Sequence, residues 1–289
     1  MNKTLHAIYI SFFFLTGITI TIGLAINGFK YYETPLDERF FSISHEMLKP
    51  SGQIGHGLGI SGSLMMTAGV AIYMIRKRVR RFMRAGLLKH WLELHIFLCS
   101  VGPLLILFHT AFKFGGLVAI SFWSMIAVVI SGVIGKYIYV QIPRTIQGRE
   151  LDIKELNEIN EQMTFQLRTH YYVDEAVLLK LEELTSVSKY RNVTLSESII
   201  LIVSDYYTSR KAIKELKLRV DQPEKSESKK IIKIIKQKLV LSRRIGLYRS
   251  MQKLFKYWHI VHLPFAMIMF IIMFIHIAVA IAFGYRWIF

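Results

Sequence analysis

Only one cysteine, Cys99, occurs in 289 residues. That excludes an intrachain disulfide, an iron-sulfur cluster held by four thiolates of this chain, and the Cys-x-x-Cys-His attachment of a covalently bound haem. Any bound metal must therefore rest mainly on histidine. Neither Gly-x-Gly-x-x-Gly opening a helix after a strand nor the phosphate-loop pattern occurs, so the usual marks of a nicotinamide, flavin or nucleotide domain are missing. Charge is sparse at 20%, and its acidic part is sparser still: 20 Asp and Glu stand against 37 Lys and Arg, a formal net charge of +17. With 53% hydrophobic residues and a mean hydropathy of +0.37, the chain is too apolar for one ordinary soluble domain.

What the sequence does have is long apolar runs. About 20 residues at 1.5 Å each cross roughly 30 Å of hydrocarbon, and five stretches qualify: 7–28, 54–75, 91–112, 117–140 and 259–284. The first is longer than the core of a secretory signal and lacks an Ala-x-Ala site after it, so it is expected to be a retained helix. Between the second and third, Arg76, Lys77, Arg78, Arg80, Arg81, Arg84 and Lys89 occur with no acidic residue among them. By the positive-inside rule this loop is cytoplasmic, which puts the N-terminus inside and the C-terminus outside, in what is expected to be the inner membrane of a bacterium. Residues 29–53 then lie outside.

The expected fold class is all-α: a polytopic membrane bundle of five helices with a helical cytoplasmic insertion. The divisions are 1–142 for the first four helices, 143–257 for the insertion and 258–289 for the fifth helix. The insertion is polar, with 23 basic and 15 acidic side chains. Leu151, Ile153, Leu156, Ile159 and Met163 recur at helical spacing, as do apolar residues within 194–220. A linker is expected at 221–228. The run 229–256, where Ile pairs alternate with Lys, reads as a basic amphipathic helix lying near anionic headgroups or leading directly into the fifth span.

Ionisable residues inside a bilayer are costly, so a histidine there is by default a functional hypothesis. His95 and His109 lie fourteen apart on the third span, and His262 and His276 fourteen apart on the fifth. Fourteen steps of about 100° return to within roughly 40° of the starting direction and advance about 21 Å. Each helix thus points two imidazoles the same way, one near each surface. The charge-derived orientation makes these two spans parallel, pairing His95 with His262 and His109 with His276. Two imidazoles facing across a bundle at one depth are the axial ligands of a six-coordinate haem iron. The competing reading is four unrelated histidines bonded to neighbouring carbonyls. His259 is an alternative to His262, because Pro264 can shift where the last helix begins. Gly102 midway between His95 and His109, and Gly55, Gly62 and Gly69 at heptad spacing, permit close approach of helices or of a macrocycle.

His, thirteen residues, His on each of two parallel spans resembles the diheme membrane cytochromes of the b type: the ferric reductase and NADPH oxidase transmembrane domains, and the quinol-oxidising cytochromes b. The resemblance covers 54–140 and 259–284, most specifically Gly86 to Phe114. It implies two haems b held by His95, His109, His262 and His276, and electron transfer across the membrane between a quinone pool or cytoplasmic donor and an acceptor on the opposite side. It also implies a redox partner protein. Two departures stand. The reductases continue into a flavin and nicotinamide domain, whereas this sequence ends at Phe289, and the insertion at 143–257 fits neither group. The alternatives are a metalloreductase core, or a non-redox transporter or scaffold. Nucleic acid is not expected as a partner.

Among lesser signals, His56 in Gly55-His56-Gly57 is placed to bind a quinone or a further metal, the glycines leaving room for a ring. Lys113 and Arg286 at one end, and Lys89 and Arg144 at the other, are placed to pair with haem propionates. His45 with Glu46 is a possible proton acceptor in the outer loop. Glu93 is explained by a salt bridge to the basic loop, and His6, His90 and His170 read as surface residues. Cys99 reads as a packing residue.

Overall fold

The computed structural model describes residues 3–82, 85–145, 149–186, 190, 194–219 and 225–284. They form helices and turns with no named strand, as the composition leads one to expect: α1 (Lys3–Glu33), α2 (His45–Leu48), α3 (Gln53–Arg78), α4 (Leu88–His109), α5 (Gly116–Gln141), α6 (Ile153–Phe165), α7 (Glu175–Thr185), α8 (Leu195–Arg219), α9 (Lys225–Gly246) and α10 (Tyr248–Ala282). Arg84, Arg286 and residues 221–224 of the expected linker lie outside the described residues.

Among the described residues, five helices are long and apolar enough to cross a membrane: α1, α2 running on into α3, α4, α5 and α10. Their large apolar side chains are more often exposed than buried, with Ile26 71%, Val133 69% and Ile271 55% exposed. In water such a surface would be a liability; in hydrocarbon it is the solvated face. The chain is an integral membrane protein in contact with lipid.

The residues separate into two compact units, 1–134 with 260–289, and 135–259. The expected divisions at 142/143 and 257/258 therefore shift. The reason is that α5 and α10 continue past their apolar stretches, so that Ile142, Tyr248 and Met251 enter the core of the second unit with Leu156, Tyr190, Ile202, Ile245 and Leu247.

In the first unit α3 and α4 run antiparallel and in close contact. Their glycines allow it: a Cβ on Gly62 would lie 2.8 Å from the Gly102 carbonyl, and one on Gly102 would lie 2.9 Å from the Gly62 carbonyl. Arg76 closes the hairpin loop, donating from Nε to the Ala85 carbonyl (2.9 Å) and from its terminal nitrogen to that of Gly86 (2.9 Å). Gly86 takes a left-handed conformation, φ 64°, that a side chain would disfavour. After α4 the chain reverses through 110–115, so α5 runs back along it. The α5 side chains then pair with α10 in descending order: Ser121 donates to the Met269 carbonyl (2.9 Å), and Ser131 meets His262. Helix α10 is thus antiparallel to α5 and parallel to α4. Met66, Phe122, Met125, Met269 and Met273 fill the middle.

At the opposite end from Arg76, the buried Arg39 organises the loop after α1. It donates to the carbonyls of Thr34 (2.8 Å), Tyr32 (2.7 Å) and Ala111, and lies over the Tyr31 ring. His45 lies against Tyr31 and Phe40, and its neighbour Glu46 pairs with Lys49.

The second unit has its own interior. Helix α6 starts with a capping box in which Asp152 and Glu155 satisfy each other's backbone N–H. The α9 residues Ile231, Ile235 and Leu239 pack with Leu167, Val177, Leu178, Leu181 and Leu216. Of the two expectations for 229–256, the apolar stripe of α9 is spent on the protein's own core rather than on headgroups, while the end of the run, from Tyr248, leads directly into the fifth span as the start of α10.

Candidate cofactor site

The α4 histidines are seated on α3. His109 Nδ1 lies 2.8 Å from the Gly55 carbonyl oxygen, and His95 Nδ1 lies 3.0 Å from that of Gly69. A carbonyl only accepts, so each Nδ1 carries the proton and each Nε2 the lone pair. The Nε2 lone pair is what a metal takes, and an Nδ1–H bonded to a carbonyl is the usual support of a ligating imidazole. The expected competing arrangement, histidines bonded to carbonyls, is thus present at both, and it occupies only the nitrogen that ligation does not need. Gly59 completes the seat, since a Cβ there would stand 2.8 Å from the His109 ring.

On α10, His276 faces His109 with ring centres 6.5 Å apart and planes at 56°. Metal–imidazole bonds of about 2.0 Å on opposite sides of one ion put two ring centres about 6.3 Å apart. The observed spacing is close to that separation. His262 Nδ1 lies 2.6 Å from Ser131 Oγ, which itself donates to the Val128 carbonyl, so the imidazole is the donor in that pair. With α4 and α10 parallel and matched at His109 and His276, fourteen residues back along each brings His95 and His262 to a common level about 21 Å away. The Tyr73 ring lies 5.3 Å from that of His95.

His56, partly buried, interacts electrostatically with both His109 and His276. The expectation of open room beside it fails at Gly55. A Cβ there would be 2.1 Å from the Lys49 carbonyl, so this glycine serves the approach of the chain leaving α2. Lys113 is exposed on the turn after α4. Arg144 lies over the Tyr139 ring and pairs with Glu150 at 2.6 Å, so its charge is engaged within the second unit. His259 bonds the Phe255 carbonyl of its own helix (2.9 Å) and belongs to the second unit, which favours His262 as the α10 partner of His95. Cys99 packs beside His95, with Sγ 3.6 Å from its Nδ1.

Two residues read as surface groups are not. His6 and His90 converge on Glu93, His6 Nε2 at 3.0 and 3.1 Å from its two oxygens and His90 Nδ1 at 3.0 Å, with Lys89 Nζ at 3.5 Å. The available signal was that His6 and Glu93 are isolated ionisable residues at the edges of apolar runs. Pairing them needed the packing of α1 on α4.

The fold and these seats define an α-helical integral membrane protein with imidazoles presented in its bundle. In comparisons with known proteins the chain matches no family model, no curated protein and no solved structure.

Proposed function

We propose that this protein is a two-haem b-type membrane cytochrome, an electron-carrying subunit, in which His109 and His276 hold one haem and His95 and His262 the other. The observation that carries this reading is the facing of His109 and His276 at 6.5 Å, with the α4 ring already anchored through Nδ1 and the same anchoring repeated at His95. Haem held in this way accepts and releases single electrons. The chain's own contribution is orientation. Carbonyl acceptors at Gly55 and Gly69 and the hydroxyl at Ser131 fix three rings and raise the basicity of their Nε2. The glycine-lined α3–α4 contact keeps the rings at a fixed depth.

The charge run 76–89 puts the His95 end on the cytoplasmic side and the His109 end outside. Electrons then pass between a quinone pool or cytoplasmic donor and an acceptor across the membrane, which includes a redox partner protein. His56 lies at the outer end beside His109 and His276, placed to bond a quinone oxygen and exchange its proton with water. Lys113 supplies positive charge at that end for a propionate.

The test is haem content and spectrum. Purified protein should give two non-covalent haems b per chain, low-spin, by pyridine haemochrome. His109→Ala and His276→Ala should each remove the same haem, and His95→Ala and His262→Ala the other. His56→Ala should keep both while slowing their reduction by quinol. A colourless protein, or His95→Ala and His276→Ala abolishing the same haem, would overturn the assignment.

A further inference from the structure

At the end of the bundle that carries Arg76, α1 and α4 share a group of side chains that the haem reading does not use. His6 comes from α1, and His90 and Glu93 from the first turns of α4. One ligand atom from each lies within 4.8 Å of the others. Both oxygens of Glu93 are engaged by imidazole nitrogens, and the carboxylate is only 9% exposed. The rings stand 5.3 Å apart, centre to centre. On the bundle side the site is walled by apolar groups: Tyr9 meets the His90 ring edge-on, and behind it Phe13 stacks on Phe97 at 4.3 Å.

We propose that His6, His90 and Glu93 form a binding site for a first-row divalent cation, Zn²⁺ being the best match, that clasps α1 to α4. Two imidazoles and one carboxylate are a donor set that suits zinc and its neighbours rather than calcium or magnesium. Around a tetrahedral ion with bonds of about 2.0 Å, neighbouring donors lie about 3.3 Å apart. From Glu93 Oε2 the two imidazole nitrogens lie 3.1 and 3.0 Å away, already near this. The nitrogens that now donate to Glu93 are His6 Nε2 and His90 Nδ1. On metal binding each ring moves its one proton to its other nitrogen and gives its lone pair to the ion. Lys89, whose side chain is 61% exposed, is the cation displaced, and it has solvent to turn into. Three protein donors leave a fourth position for water.

The location gives the ion something to do. Helix α1 has no buried residue in its most apolar stretch, and its further hold on α4 includes Phe13 on Phe97, Gly17 against Val101 and, at its far end, Tyr32 on Phe108. Lipid tails are as apolar as its side chains, so burial alone gives it little reason to stay. A coordinate bond across the two helices does.

The site is independent of the haem reading, and its test separates the two. Full-length protein in detergent is stripped with a chelator and titrated with Co²⁺, whose visible absorption reports its ligands, and with Zn²⁺ by calorimetry. One equivalent per chain is expected. Affinity should fall at least tenfold in His6→Ala and in Glu93→Gln. Glu93→Gln keeps hydrogen-bonding capacity, so unchanged helical circular dichroism in that variant separates loss of a ligand from loss of the fold. Lys89→Met should bind several-fold more tightly, and His45→Ala and His170→Ala as the unmutated protein. Failure of the unmutated protein to bind, binding that survives Glu93→Gln, or binding lost in His170→Ala would each overturn the proposal.

Discussion

A histidine in an apolar helix is decided by what its two nitrogens meet, and here that is decided by residues with no side chain. Gly55 and Gly69 offer their carbonyls to His109 and His95, and Gly59 leaves the space in which the His109 ring lies. Gly59→Ala should therefore push that ring out of register. The expected outcome is loss of one of two haems in the haemochrome assay, the one that His276→Ala also removes, with the His95 haem retained. The four histidines were legible from their spacing alone, and the glycines were legible as places of close approach. Their carbonyls as hydrogen-bond acceptors were not, because a backbone group is the same in every sequence and only the pairing of α3 with α4 brings it to a ring. The salt bridge expected for Glu93 is present, to Lys89, but the pairing of His6 with Glu93 was missed for the same reason: they are 87 positions apart, and nothing local to either announces the other.

At the scale of the helix, the apolar pattern located the membrane helices well and their ends less well. The last helix starts at Tyr248, eleven residues before the expected 259, and passes through Pro264 without stopping. A pattern of hydropathy reports where lipid begins, whereas a helix continues for as long as it finds something to pack on, and the first turns of α10 find the core of the second unit. In that unit α8 carries Asp205, buried, whose carboxylate accepts a hydrogen bond from the Tyr190 hydroxyl. Gly246 at the end of α9 admits the Tyr190 ring, since a Cβ there would lie 2.3 Å from it. Burial and the adjacent Asp205 carboxylate push the Tyr190 phenol well above its ordinary range. A group so raised stabilises the fold fully below the ordinary tyrosine pKa, near 10, and the contribution is lost as pH climbs above that value, where the unfolded chain ionises first. Tyr190→Phe should destabilise the unit by about 1–3 kcal/mol, because the Asp205 carboxylate keeps its burial and loses a donor. Thermal unfolding of the full chain followed by circular dichroism checks this. The unmutated protein should lose stability above pH 10 more steeply than the variant.

The molecule as a whole is a membrane bundle, and its orientation rests on charge. Reporter fusions placed at Arg81 and within 221–228 should report the cytoplasm, and a fusion after Phe41 the outside. Cytoplasmic reporting at Phe41 would invert the assignment of both ends. A larger consequence lies in how α3 and α4 meet. Gly55, Gly62 and Gly69 ascend one helix in steps of seven while His109, Gly102 and His95 descend the other in the same steps, so the His109–Gly55 seat recurs as the His95–Gly69 seat about 21 Å further along the hairpin. A shift by that length carries one seat onto the other, carbonyl for carbonyl and imidazole for imidazole. The hairpin therefore treats the two sites as near equivalents, and it cannot by itself make one end of the molecule differ from the other. On the proposed function, a preferred direction of electron flow must come from what differs between the repeated seats: Ser131 behind His262 at one end, and His56 near His276 at the other.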